Sequence, residues 1–216
     1  MLTVVKVGGG LAREAGDDAL RALCAAIAEA GARHLMLVVP GGGAFADAVR
    51  AHDRRFGLRA ETAHRMAILA MDQFGWALAD LIPGAVCGAA PGSARDGVVT
   101  ILLPAAVLAE HDPFPASWDV TSDSIAAWAA GAVGAGRLVL AKPVAGLHRE
   151  WPPTGGHIAE LCVDELDALR PGGLDRHFPT ALRAAGVEAW VIDGRKPARL
   201  LELLDDGCTI GTRVTA

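Results

Sequence analysis

Short apolar runs alternate along this chain with longer segments of helical spacing. Leu2, Val4, Val5 and Val7 form a β-rich run that reads as a buried strand, interrupted by a single lysine, Lys6. From Asp17, read as a helix N-cap, to Ala30, the residues Leu20, Leu23, Cys24, Ile27 and Ala28 recur at i, i+3, i+4 spacing, and Gly31 closes that helix. Leu35–Pro40 is a second buried-strand run. A helix over Phe45–His52, a basic turn at Arg54 and Arg55, and a long helix over Ala60–Leu81 follow, the last with Met66, Leu69, Ala70, Phe74 and Leu78 as its apolar face. Gly84–Asp96 reads as loop with one short strand, and Val98–Leu103 as a strand stopped by Pro104. A short helix to Glu110 precedes the turn at His111–Pro115. Thr121, Ser122 and Asp123 are all capping types, and they open a small-residue helix over Ile125–Val133. The second half repeats the theme: strand Arg137–Ala141, a long loop Lys142–Cys162, helix His177–Ala185, strand Glu188–Ile192, helix Pro197–Leu204 and a last strand Cys208–Ile210. Strands alternating with helices predict an α/β protein with a mostly parallel sheet.

Glycine runs follow the first two strands, Gly8-Gly9-Gly10 and Gly41-Gly42-Gly43. In a parallel sheet both lie outside the carboxyl ends of the strands, where ligands bind. Glycine lets backbone N–H groups approach an anion closely. A lysine inside a strand is costly unless its ammonium emerges to meet a counter-charge. Lys6 with the two glycine triplets therefore predicts a phosphate site, one triplet for the transferred phosphoryl and the other for the acceptor. Neither run has Walker A or GxGxxG spacing. Asp123 is a helix cap or a carboxylate that fixes lysine ammonium groups. Lys142, at the end of its strand, repeats the position of Lys6. Gly211 and Thr212, after the last strand, either approach a nucleotide or end the sheet. A dinucleotide-binding domain would want an acid at the end of strand two, and Pro40 with Gly41 stands there instead.

With 216 residues, 52% hydrophobic, the chain fits one large α/β domain whose halves meet near Gly134–Gly136 and share one sheet. The net charge of −5 and pI near 5.8 argue against a nucleic-acid partner. Cys24, Cys87, Cys162 and Cys208 have neither CxxC nor zinc-ligand spacing, and they read as small buried hydrophobes of a reducing cytoplasm. Apolar runs stop short of the roughly 20 residues that cross a bilayer, so no membrane partner is expected. The start lacks the features of a signal peptide.

Lys6-Val-Gly8-Gly9, the strand ending in Gly41-Gly42-Gly43, the Thr121-Ser122-Asp123-Ser124 helix start, Val191–Arg195 and Gly207–Thr212 together resemble the amino acid kinase superfamily. The resemblance implies a three-layer αβα sandwich with a mostly parallel sheet. It also implies a phosphoryl-acceptor lobe over 1–134, an ATP-binding lobe over 135–216, and Mg2+ bridging the nucleotide phosphates with no metal held by the protein alone. Carried over, Lys6 would stabilise the transferred phosphoryl and Asp123 would orient the lysine. Gly8, Gly9, Gly10, Gly41, Gly42 and Gly43, with Thr121 and Ser122, would line the phosphate site. Gly146, Arg176, His177, Gly211 and Thr212 would lie on the ATP side with Lys142. Asp72 and Asp119 are either solvated charges or partners for a substrate ammonium. Pro40 stands where acetylglutamate kinases have histidine, Asp47 follows Ala46 where isopentenyl phosphate kinases place theirs, and Ala145 replaces the acid before Gly146. His177 takes the place of the family's second lysine, so Lys142, Arg176 or His177 must supply that charge, Lys142 first among them. Ala70–Gly75, Trp118–Ala126 and the segment from Val163 to Pro179 are similar to the branch that converts [5-(aminomethyl)furan-3-yl]methyl phosphate to its diphosphate in methanofuran-type cofactor synthesis. The implied partner is a small-molecule phosphate; self-association through the Ala60–Leu81 helix is expected from its residues, because Phe74 and Trp76 lie on different faces and one of them is left for solvent or a partner. Uridylate- or isopentenyl-phosphate-type kinases, and an ATP- or oxyanion-binding storage protein, are the alternatives.

Overall fold

The opening strand, β1 (Thr3–Val7), is flanked by β2 (Met36–Pro40) and β5 (Arg137–Lys142), both parallel to it, so that Lys6 stands opposite Val39 and Leu140. This computed structural model describes residues 1–150 and 155–216. Beyond β2 the sheet continues through β4 (Thr100–Leu102) to β3 (Val86–Gly88), all parallel. Beyond β5 it continues through β7 (Ala189–Asp193), then β8 (Gly211–Thr215) antiparallel to β7, then β6 (Glu160–Cys162). The strands before Gly134 and those after it thus form one sheet, joined at the β1–β5 pair.

Side chains alternate across a strand, so each face has its own apolar set. Val4, Leu37, Val39, Leu138, Leu140 and Val191 face one helical layer, and Val5, Val7, Val38, Val139, Trp190 and Ile192 face the other. The first layer includes α6 (Ser122–Ala132) and α8 (Phe178–Ala185), and the second includes α2 (Asp17–Gly31) and α9 (Ala198–Asp206). Helix α4 (Ala60–Leu81) serves both, sending Ile68 and Met71 to one core and Phe74 and Leu78 to the other. This is the three-layer αβα sandwich expected. Each fully buried Val or Leu contributes about 1.5–3 kcal/mol, so the two cores together hold the layers on the sheet. Small residues matter in α6. Ala126, Ala127, Ala129 and Ala130 are fully buried, and a Cβ on Gly131 would stand 2.8 Å from Ala185 Cα. The helix therefore sinks close against α8 and the sheet, with its N-terminus at the carboxyl ends of β1 and β5.

Several local expectations are corrected. The glycines after β1 do not form a turn alone, because Gly9 and Gly10 already begin helix α1 (Gly9–Ala15). Asp17 lies inside the first turn of α2, and Gly16, at φ +86°, takes the cap position that a glycine tolerates best. Helix α3 runs Gly43–Phe56, so Arg54 and Arg55 form its last turn, favourably placed at the negative end of the helix, and left-handed Gly57 ends it. On α4, Leu69 faces solvent while His64, Ile68 and Met71 take the inward stripe. Phe74 is buried and Trp76 is 60% exposed. The Lys142–Cys162 stretch, read as loop throughout, ends in β6, and a helix over Val163–Leu169 follows it, capped by Glu165 on the Cys162 N–H at 2.8 Å. Both are short elements below the length at which periodicity speaks. The last strand is Gly211–Thr215 rather than Cys208–Ile210, because Gly207, at φ +80°, ends α9 and Cys208–Ile210 only lead into the strand.

Candidate active site

Strand alternation alone places two lysines together. Lys6 shares the face of Val4, and Lys142 the face of Leu138 and Leu140 on the adjacent strand. Both ammonium groups rise at the carboxyl ends of their strands, beneath the first turn of α6, where Asp123 lies. Lys142 Nζ donates to Asp123 Oδ2 at 2.7 Å and to the Gly173 carbonyl at 2.5 Å. Lys6 Nζ stands 2.9 Å from Asp123 Oδ1, off the hydrogen-bonding direction, so that oxygen has an ion-pair contact alone. All three side chains are buried. Burial pushes the Asp123 carboxyl up, but Lys142 and then Lys6 outweigh it and hold the group well below the usual carboxylate range. Burial lowers the Lys142 ammonium, and Asp123 opposes that. Lys6 and Lys142 share the Asp123 carboxylate at the floor of a cleft of about 530 Å3.

The glycine runs meet backbone to backbone beside this cluster. A Cβ on Gly9 would lie 2.2 Å from Gly43 N, and one on Gly41 would lie 2.6 Å from Gly9 N. No side chain fits at either position. Gly9, Gly10, Gly42 and Gly43 line the cleft at the start of α1 and α3, where helix geometry leaves N–H groups without helical partners. Gly8 and Gly41 do not serve as ligand donors. Gly8 N–H is given to the Ala141 carbonyl (3.2 Å) and Gly41 N–H to that of Val7 (2.8 Å), so both extend the sheet ladder. Gly8 still lines the cleft, and its missing side chain leaves room for Lys6 Nζ.

The other expected residues divide. Thr121, Ser122, Asp119 and Arg176 line the cleft with Lys6, Asp123 and Lys142. Thr121 is at the cap position of α6, but its hydroxyl donates to Asp175 at 2.9 Å instead of capping its own helix. Arg176 and Asp119 are exposed and stand 3.9 Å apart. Asp72 is elsewhere: its carboxylate accepts from Ala105 N–H at 3.1 Å and caps α5 (Pro104–Glu110). His177 packs edge-on against Phe114 and does not line the cleft. Gly146, Gly211 and Thr212 also lie away from it. Thr212 is fully buried, accepts from Leu147 N–H at 2.7 Å and donates to the Ile158 carbonyl at 2.5 Å, which ties down the segment after β5. Gly211 pairs with Ile192 in the β7–β8 ladder.

Residues the sequence did not single out complete the cleft. Asp175 accepts Thr121 N–H and Ser124 N–H at 2.9 and 3.0 Å and the Ser124 hydroxyl at 2.5 Å, while its own N–H reaches Asp123 Oδ2 at 3.3 Å. It is the cap of α6, supplied from about fifty residues downstream, and no local pattern announces it. Burial, then the Asp123 charge, push its carboxyl up against those donors. Across the cleft, Arg50 lies over the Trp118 ring at 4.7 Å and bonds Asp47, and the Trp118 indole N–H donates to Asp53 at 2.7 Å. His64, Ala67, Ile68 and Met71 form one i, i+3, i+4, i+7 stripe of α4 facing the cleft, a spacing visible in the sequence.

Buried cations and backbone donors converging outside the ends of a parallel sheet define a phosphoryl-handling α/β protein. The chain belongs to the amino acid kinase family, whose model matches residues 1–193. It is 28% identical over 214 residues to the [5-(aminomethyl)furan-3-yl]methyl phosphate kinase of Methanocaldococcus jannaschii, a match covering 98% of this chain and 96% of that one. It is 39% identical over 127 residues to the acetylglutamate kinase of Acidothermus cellulolyticus, covering 55% of this chain and 42% of that one. In structure it resembles the uridylate kinase of Archaeoglobus fulgidus, with a TM-score of 0.76 at 20% identity and full coverage of both chains. The protein is thus a phosphotransferase of this family. Among the described residues no helix is long and apolar enough to cross a membrane.

Proposed function

We propose that this protein is an ATP-dependent kinase that converts [5-(aminomethyl)furan-3-yl]methyl phosphate to its diphosphate. The observation that carries a phosphoryl-transfer role is the buried Lys6–Asp123–Lys142 cluster, two ammonium groups fixed on one carboxylate at the cleft floor. The choice of acceptor is supported by a similarity that runs the length of both chains, where the acetylglutamate kinase match covers under half of its relative.

In this reading an oxygen of the acceptor phosphate attacks the γ-phosphorus of ATP. The new O–P bond forms as the bond to the β-phosphate oxygen breaks, and ADP leaves with that electron pair. The acceptor oxygen is already ionised near neutral pH, so no general base is needed. Asp123 accordingly works as a clamp: held ionised between two ammonium groups, it fixes them where charge develops. Lys6 and Lys142 face the transferred phosphoryl, and the N–H groups of Gly9, Gly10, Gly42 and Gly43 hold its oxygens. The acceptor lies against α3 and α4 in the lobe of residues 1–134. The nucleotide lies toward Val144, Leu174 and Arg176 in that of 135–216. Mg2+ would be carried mainly by the nucleotide phosphates, adding charge neutralisation. Asp119, Thr121 and Ser122 line the cleft and offer hard oxygen donors of the kind that ion takes.

The test is to incubate the protein with MgATP and, separately, the furan phosphate, UMP and N-acetylglutamate, and to follow ADP and the product mass. ADP with the furan diphosphate is expected. Turnover of UMP alone would overturn the acceptor. ATP binding in calorimetry without ADP release on any acceptor would replace the kinase by a storage role.

A further inference from the structure

The stripe of α4 that faces the cleft is apolar at Ala67, Ile68 and Met71, and Val120 and Ile125 face it from the other wall. His64 alone breaks the pattern. It is 8% exposed, yet it belongs to the cleft lining, and its ring is held from behind: Nε2 lies 3.0 Å from Asp112 Oδ2. Asp112 is itself fixed, because its other oxygen accepts Phe114 N–H at 3.0 Å. A carboxylate only accepts hydrogen bonds, so Nε2 carries the proton. A neutral ring in that tautomer presents Nδ1 as a bare acceptor, and Nδ1 makes no other hydrogen bond among the described residues. A hydrogen-bond acceptor at the edge of an apolar wall, with a negative charge one ring behind it, suits a donor that is preferably cationic.

We infer that His64, backed by Asp112, determines acceptor specificity by receiving an N–H donor, an ammonium in the first instance, carried on a small apolar ring. This rests on the acceptor proposed above, whose aminomethyl group is such a donor on a furan ring. It also reassigns the recognition of that group. Asp72 caps α5 away from the cleft, and Asp119 stands exposed at its mouth. His64 sits deeper, where water competes less and one hydrogen bond discriminates more. An anionic group at the same place would face Asp112 through the ring and be rejected.

The experiment uses calorimetry on the full chain with two ligands, the aminomethyl furan phosphate and its counterpart bearing a methyl group in place of aminomethyl. The wild type is expected to bind the first at least ~10-fold more tightly, the scale of a hydrogen bond to a charged group. His64→Leu should erase that preference while leaving the affinity for the methyl compound and for MgATP within a few-fold. Asp112→Asn should weaken the preference, and His64→Gln, which keeps a side-chain acceptor, should restore part of it. Equal binding of the two ligands by the wild type, or an equal loss for both ligands in folded His64→Leu and His64→Gln, overturns the inference. Steady-state assays run alongside separate the two readings. A binding preference without turnover of either compound supports the His64 site and refutes the kinase assignment. Turnover without a preference does the reverse.

Discussion

Lys6→Met separates what the charge cluster does for catalysis from what it does for the fold. Two ammonium groups share the Asp123 carboxylate, Lys142 at 2.7 Å and Lys6 at 2.9 Å. Removing Lys6 leaves a neutral Asp123–Lys142 pair whose hydrogen bond is intact. The methionine side chain stays apolar on the Val4 face. Stability should therefore hold, with Tm within ~3 °C of wild type, the shift produced by about 1 kcal/mol in a domain of this size. Catalysis should not hold. One preorganised donor at a developing charge is worth about 2.7–4 kcal/mol, so kcat should fall ~10²- to 10³-fold. Asp123→Asn makes the contrasting case, because it removes the carboxylate that contacts both buried ammonium groups. Losing one partner of a buried ion pair costs about 3–5 kcal/mol, which at ~2–4 °C per kcal/mol lowers Tm by roughly 6–20 °C. The assay is ADP release at saturating MgATP and furan phosphate, with thermal melts on the same preparations. A Lys6→Met protein within ~3-fold of wild-type kcat, below any loss expected of such a donor, would refute the role of Lys6. Equal melting temperatures for Lys6→Met and Asp123→Asn would refute the charge accounting.

Other outcomes follow from the same geometry. Gly9→Ala would drive a Cβ to 2.2 Å from Gly43 N, so the variant should melt several degrees lower, an overpacking cost of ~1–3 kcal/mol, whereas Gly92→Ala, with no atom within 4 Å, should melt like the wild type. Asp72→Ala removes the carboxylate that caps α5 and should lose about 1 kcal/mol in chemical denaturation with kcat unchanged. A fall in kcat at wild-type stability would instead place Asp72 in the site. Because Asp123 is held well below its usual range, it remains ionised in the fold where the unfolded chain takes up a proton. Its stabilisation is full above about pH 4 and is lost as pH falls further, so the Tm gap between wild type and Asp123→Asn should narrow between about pH 4 and pH 2. A constant gap would contradict that.

Much of the site was legible because it is built on strand ends. Lys6, Lys142 and the two glycine runs sit where short apolar runs stop, and the alternation of a strand fixes which face each lysine takes. The glycine runs were read as anion turns. Their geometry adds a steric reason, since α1 and α3 start with backbone packed on backbone at Gly9 and Gly43. The misses share a cause. Gly8 and Gly41 look equivalent to their neighbours in sequence, and only strand pairing consumes their N–H groups. Gly211 and Thr212 were left open between a nucleotide contact and the end of the sheet, with the family resemblance favouring the first, whereas the Thr212 hydroxyl bridges two segments more than fifty residues away. Asp175 had no signal at all, because capping α6 from a distant strap leaves no local spacing.

The amino-acid sequence by itself determined the α/β alternation of the main strands and helices and the glycine-and-lysine chemistry, because periodicity and glycine placement are local properties of the chain, while the three-layer class came from the family resemblance. Tertiary structure decided which donors remain available to a ligand, which carboxylate holds which cation, and that His64 rather than Asp72 faces the cleft. Those outcomes depend on burial and on partners brought together across the sheet, and a hydrogen bond satisfied by a residue fifty positions away is invisible until the chain has folded.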